Sequence, residues 1–270
     1  NGWHILDHKL KKNEKYKIKG NLNKINLKSK ICDLVFISHT LEHIPHIQIQ
    51  NVLTEINRIM KKGATIRILV PNLETITKAY VNKDKKFFKN AIDEDHSIRT
   101  DLGFGGMLMN FIVSPGQDTI LLDRNLKEFI AGYAHLYAYD FNMMKIILKK
   151  CGFKNIVQKK FCDSKIKDFT IPCHILGKSS NYQNLNNKFY KKNKLTHLYK
   201  NGKYKINFKF TGFDKDPFTS LILEAKKDEF KKISKNNNIN KSKKNYNDYA
   251  FALLFNKSVK SSLKAKKIKY

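Results

Sequence analysis

The sequence predicts an α/β fold with a mostly parallel sheet, and three stretches predict it. Cys32-Asp33-Leu34-Val35-Phe36-Ile37 is a short apolar run rich in β-branched and aromatic residues, the mark of a buried strand. Ile49, Val52, Leu53, Ile56, Ile59 and Met60 then recur at the spacing of one helical face. Residues 64–70 form a second apolar strand, closed by Pro71-Asn72. Strand, helix and strand within about forty residues make a βαβ unit with parallel strands. Ligands of such sheets bind beyond the carboxyl ends of the strands. The polar cluster Ser38-His39-Thr40-Leu41-Glu42-His43 stands at such an end, so it is expected to face a ligand. Gly63, with Lys61 and Lys62 before it, reads as the C-cap of the helix.

The other elements follow in chain order. Gly2-Trp3-His4-Ile5-Leu6-Asp7 reads as a strand ending in a carboxylate, and Tyr16-Lys17-Ile18-Lys19 as a weaker strand before Gly20-Asn21-Leu22. In a parallel sheet Asp7, Asn21, Ser38-His39 and Asn72 would share one edge. An acid such as Asp7 at that edge can accept both hydroxyls of a ribose, or can cap a turn. Residues 74–80 begin another helix. Residues 83–139 read as an irregular, aromatic-rich insertion suited to a lid or substrate pocket, with Phe129, Ile130, Tyr133, Tyr137 and Tyr139 beside His135. The glycines of Gly103-Phe104-Gly105-Gly106 match no phosphate loop.

Asp140 can N-cap a helix over residues 141–150 that buries Met144, Ile147 and Leu148 and ends at Cys151-Gly152. Residues 155–161 and 217–225 read as strands and 181–201 as a polar linker. The domain is expected to close at residue 226. From 227 to 270 the chain is a Lys/Asn-rich tail, expected to be poorly ordered, with a short helix at most in its one apolar run, residues 249–255.

Composition limits the function classes. A 270-residue chain that is 41% hydrophobic can build a real core. A net charge of +30 points to nucleic acid or anionic surfaces. The lysines, however, are spread through the chain rather than clustered, and Lys dominates over the Arg forks that specific recognition favours. Nucleic acid therefore stays a partner of second choice. Cys32, Cys151, Cys162 and Cys173 show no CxxC or metal-ligand spacing, as expected of a reduced, cytoplasmic protein. No apolar run reaches the ~18 residues of a membrane span. Oligomeric state is not legible.

His39-Thr40-Leu41-Glu42-His43 is formally H-x-x-E-H, a zinc-protease spacing. Pro45 breaks the helix that such a motif needs, and the motif directly follows a buried strand. No metal is expected.

The same residues, with the helix after them and the strand ending Val70-Pro71-Asn72, resemble the class I S-adenosylmethionine-dependent methyltransferases, most of all the small-molecule type with an S-H-x-L-E-H segment after strand four. Gly2-Trp3 to Asp7 resembles that family's second strand. Tyr137-Ala138-Tyr139-Asp140 and its helix resemble the last helix, and residues 217–225 the antiparallel final strand. The resemblance implies a Rossmann-like methyltransferase sheet and S-adenosylmethionine as cofactor. It implies Asp7 on the cofactor ribose, Asn21 and Leu22 at the adenine, and Ser38 and His39 on the sulfonium side. His39 would serve as a base where the acceptor must lose a proton. Glu42, His43, Tyr137 and Tyr139 would face a small-molecule or cell-surface-type acceptor. The family's first strand and glycine-rich loop have no counterpart, so an N-terminally truncated member, with impaired activity, is expected. The alternative is a basic nucleic-acid-associated protein or RNA methyltransferase.

Overall fold

The computed structural model describes residues 2–7, 12–13, 15–94, 100–113, 135–170, 196–198, 204–206, 214–228 and 252–257. Its strands are β1 (Trp3–Asp7), β2 (Lys17–Lys19), β3 (Cys32–Ser38), β4 (Met60–Pro71), β5 (Phe153–Lys159), β6 (Thr196–Leu198), β7 (Tyr204–Ile206), β8 (Ser220–Lys227) and β9 (Ala252–Lys257). Its α-helices are α1 (His46–Ile59), α2 (Leu73–Val81), α3 (Lys85–Glu94), α4 (Gly103–Ile112) and α5 (Phe141–Lys150).

Seven strands form one sheet in the order β2-β1-β9-β3-β4-β8-β5, and β6 and β7 pair separately. β1 runs parallel to β2, and β3 to β4; β8 is antiparallel to both β4 and β5. The βαβ unit and the antiparallel strand near residue 220 thus stand as expected. The place between β1 and β3 is taken by β9, antiparallel to both. The apolar run near residue 250 is therefore a strand, not a short helix. It had no strand neighbour in sequence to betray its pairing.

Strand alternation sorts the core. Val35, Ile37, Ile68, Val70, Leu221 and Leu223 point to the face covered by α1 and α5, where Ile49, Val52, Leu53, Ile56, Met144, Ile147 and Leu148 meet them. The opposite face gathers Phe36, Leu69 and Ile222 under Phe169, from a 3₁₀ turn at Lys167–Thr170. The predicted N-cap forms, Asp140 Oδ1 accepting the Met143 N–H at 2.8 Å, and Asn72, which also closes β4, caps α2 by accepting the Thr75 N–H at 3.3 Å.

Two local expectations are corrected. α1 ends at Ile59, and Gly63 lies inside β4 with φ +75°. Tertiary partners do the work of the expected cap. The Lys227 ammonium donates to the carbonyls of Asn57 and Met60 at 2.6 and 2.7 Å, and the N–H groups of Lys30 and Ile31 donate to those of Arg58 and Ile59. With the helix stopped early, β4 has surplus chain. The pairing steps from Cys32↔Met60 to Leu34↔Thr65, and the extra residues bulge out where only glycine takes a positive φ without strain. Secondly, the segment expected to be irregular contains α2's neighbours α3 and α4, which pack Phe88, Ala91, Met107 and Phe111 against Ile76 and Ala79. Phe129, Ile130 and Tyr133 lie outside the described residues, as does Cys173.

Candidate functional site

The parallel strands deliver their carboxyl ends to one rim. Leu6 and Ile37 both pair with Leu253, so Asp7 and Ser38, each one residue further on, end their strands level. Two strand spacings put them about 10 Å apart. Asn21 follows β2 on the same side, and Asn72 follows β4. β8 runs the other way, so its first residue, Ser220, pairs with Pro71 and joins this rim.

His39 is the hub of the rim. Its backbone sits in the left-handed region at φ 44°, held there by its N–H donating to the Leu69 carbonyl at 2.9 Å. A non-glycine residue in that region is strained and marks a place where surroundings dictate the chain path. Nε2 shares a hydrogen bond of 2.9 Å with Ser220 Oγ and lies 3.3 Å from Asp216 Oδ2. Nδ1 lies 3.3 Å from Glu42 Oε1, within ion-pair reach but without hydrogen-bond alignment. The imidazole is thus clamped between carboxylates on both sides.

Glu42 is fully buried, and neither of its oxygens has a hydrogen-bond partner among the described residues. Burial pushes its carboxyl up. His39, then His43 and His135, pull it down harder, to about 2. A charge is therefore kept in a place that water does not reach, which only nearby positive charge can offset. His43 Nε2 stands 3.9 Å from Glu42 Oε1, and the His43 and His135 rings meet edge to face with centroids 4.8 Å apart. Residues 135–139 are tied down beside them. The Glu42 carbonyl accepts the N–H groups of Leu136 and Tyr137 at 2.7 and 3.1 Å, and the Tyr139 carbonyl accepts that of Leu73 at 3.0 Å.

The residues expected at the site divide into three groups. Ser38, His39, Glu42, His43 and Tyr139 come together. Ser38 Oγ and the Tyr139 hydroxyl are buried without hydrogen-bond partners among the described residues. Burial, and then the Glu42 charge, raise the Tyr139 pKa, so this phenol stays a proton donor. Tyr137 turns aside and stacks on His46, ring centroids 4.2 Å apart. At the other end of the rim, Asn21 Oδ1 accepts the Asn23 N–H at 2.9 Å, and Leu22 is packed in the core at 5% exposure.

Three residues escaped the sequence. Ser220 and Asp216 reach the rim only because β8 is antiparallel. His135 carried no signal beyond its place in an aromatic segment. The H-x-x-E-H spacing forms no helical chelate, since Leu41–His43 is a 3₁₀ turn and Pro45 separates it from α1.

Residues 5–68 match a family described as methyltransferase domain. No curated protein matches the chain. Among solved structures, the chain is similar to an S-adenosylmethionine-dependent methyltransferase of Thermotoga maritima, described as a possible histamine N-methyltransferase. Identity is 11% and the TM-score 0.35, over 78% of this chain and 64% of that one. It is similar also to one from Archaeoglobus fulgidus, with 16% identity, TM-score 0.33 and coverage of 78% and 67%. A third, from Methanosarcina mazei, has 9% identity, TM-score 0.36 and coverage of 81% and 69%. The chain thus spans about two thirds of the length of these proteins. Among the described residues no helix is long and apolar enough to cross a membrane.

Proposed function

We propose that the chain, whose residues 5–68 match the methyltransferase-domain family, is a class I S-adenosylmethionine-dependent methyltransferase acting on a small-molecule or cell-surface-type acceptor. The observation that supports this most is the shared rim, with Asp7 and Ser38 level on it and the buried Ser38 hydroxyl lacking a partner among the described residues. Such an orphaned donor fits a polar ligand lying across the strand ends.

In this reading Asp7 binds the ribose diol, Asn21 borders the adenine with Leu22 packed in the core behind it, and Ser38 and His39 line the sulfonium side. Glu42, His43 and Tyr139 border the acceptor, with Tyr137 stacked on His46 beside them. The cofactor supplies a methyl group already activated by its sulfonium charge. The protein then has to align the acceptor, exclude water and, for acceptors that lose a proton, receive it. His39 is placed to receive it, at the strand end with its ring nitrogens 3.3 Å from the carboxylates of Glu42 and Asp216.

Calorimetric titration with S-adenosylhomocysteine is expected to give saturable heat. Asp7→Ala should weaken that binding about 10- to 100-fold, the worth of a hydrogen bond to a charged group. No heat from the folded chain would leave a non-catalytic scaffold as the better reading. His39→Asn should leave this affinity within a few-fold yet slow labelled-methyl transfer at neutral pH by about 100-fold; unchanged transfer removes the proton-accepting role.

A further inference from the structure

Glu42, His43 and His135 offer one ligand atom each, all within 4.8 Å of one another. We propose that these three side chains bind a divalent first-row transition cation of the zinc class. Two imidazoles and one carboxylate make the donor set such borderline ions prefer.

Three independent observations carry this. The first is Glu42: a fully buried carboxylate without a hydrogen-bond partner among the described residues. His39 Nδ1 lies 3.3 Å from Oε1 without hydrogen-bond alignment, so both carboxylate oxygens keep lone pairs open to a cation. The second is the second ring nitrogen of His135. His135 Nδ1 lies 2.8 Å from the Phe111 carbonyl oxygen. A carbonyl only accepts, so Nδ1 carries the proton and Nε2 keeps its lone pair. That is the outer-shell arrangement that orients metal-bound histidines. The third is how the donors are held. Glu42 and His43 share one 3₁₀ turn, and the Glu42 carbonyl holds residues 136 and 137, next to His135. One short hydrogen-bonded unit therefore presents all three.

A cation about 2.1 Å from each donor would draw them to roughly 3.4 Å apart. The observed spacing, within 4.8 Å, is wider than that, so loading a cation would draw the three side chains inward. Three protein donors leave at least one position open for water or for an oxygen or nitrogen ligand. The set differs from that of the H-x-x-E-H spacing, which pairs His43 with His39 instead of His135. His39 instead faces Ser220 and Asp216.

The binding is independent of any cofactor and is tested without one. The full chain, stripped with a chelator, is titrated with Zn²⁺ by calorimetry and with Co²⁺ by visible absorption. One equivalent should bind saturably, raise the unfolding temperature, and give Co²⁺ d–d bands without thiolate charge-transfer bands. Glu42→Gln and His135→Gln should each weaken binding by more than the ~10- to 100-fold that loss of an outer-shell partner costs. A thermal melt verifies that each variant is folded. Should a variant not fold, the Co²⁺ spectrum of the parent chain decides alone. No saturable binding, thiolate bands that move the ion to a cysteine, or folded variants with unchanged affinity would each overturn the proposal.

Discussion

Replacing Leu254 by proline is expected to detach β1 and β2 from the rest of the sheet. Leu254 pairs with Ile5 on one side and Phe36 on the other, so β9 is the sole described strand joining β1 to β3. Proline removes a donor from the ladder and fixes φ, which the middle of a sheet does not tolerate; about 3 kcal/mol or more should be lost. The expected readout is early hydrogen exchange in the amides of β1 and β2, and a lower or broader melt. The cost should fall on the rim as well, because Asp7 keeps its level with Ser38 only through this strand. Unchanged exchange protection in β1 would mean that residues 252–257 do not hold this place in solution.

Arg67→Met should cost about 3–5 kcal/mol, the loss expected when one member of a buried charged cluster is removed. For a chain of this size that corresponds to a melting point lower by roughly 10 °C. Arg67 is fully buried on β4. Its Nε and Nη2 donate to the two oxygens of Asp214 at 2.7 and 2.5 Å, and Nη1 donates to Glu224 at 2.6 Å. The carbonyls of Asp163 and Lys160 accept further bonds, and the Cys162 N–H donates to Asp214. The guanidinium also lies over the Phe169 ring, 5.8 Å from its centroid. Removing the cation strands a buried Asp214 carboxylate. Adding Asp214→Leu to Arg67→Met should recover much of the loss, since no buried charge then stands alone. A single-variant cost below about 1 kcal/mol would show that Asp214 and Arg67 are solvated rather than paired. The cluster has a positional consequence too. It ties residues 160–163 and 214 to the middle of the sheet, and residue 214 is two positions from the Asp216 that faces His39.

Much of this was legible in the residues. The periodic stripe of α1, the apolar runs of β3 and β4, and the cap at Asp140 are local signals that propensity and spacing encode directly. Ser38 to His43 was legible as a rim cluster for the same reason. A polar cluster straight after a buried strand has no core role, and a parallel sheet sends it to the rim.

Long-range pairing decided the rest. Ser220 and Asp216 meet His39 only because β8 enters the sheet backwards, and His135 meets Glu42 only because residues 136 and 137 bond to the Glu42 carbonyl. The end of α1 was misread because Lys227, far away in sequence, satisfies the carbonyls that Gly63 was expected to serve. β9 is the extreme case. Its apolar run fixes that residues 252–257 seek cover, but hydrophobicity has no direction, and only open backbone groups on β1 and β3 determine where such a strand fits and which way it runs. The sequence alone determined the parallel frame and its polar rim, because periodicity is local. The tertiary structure determined which distant side chains close around that rim, because hydrogen-bond pairing across the sheet is not.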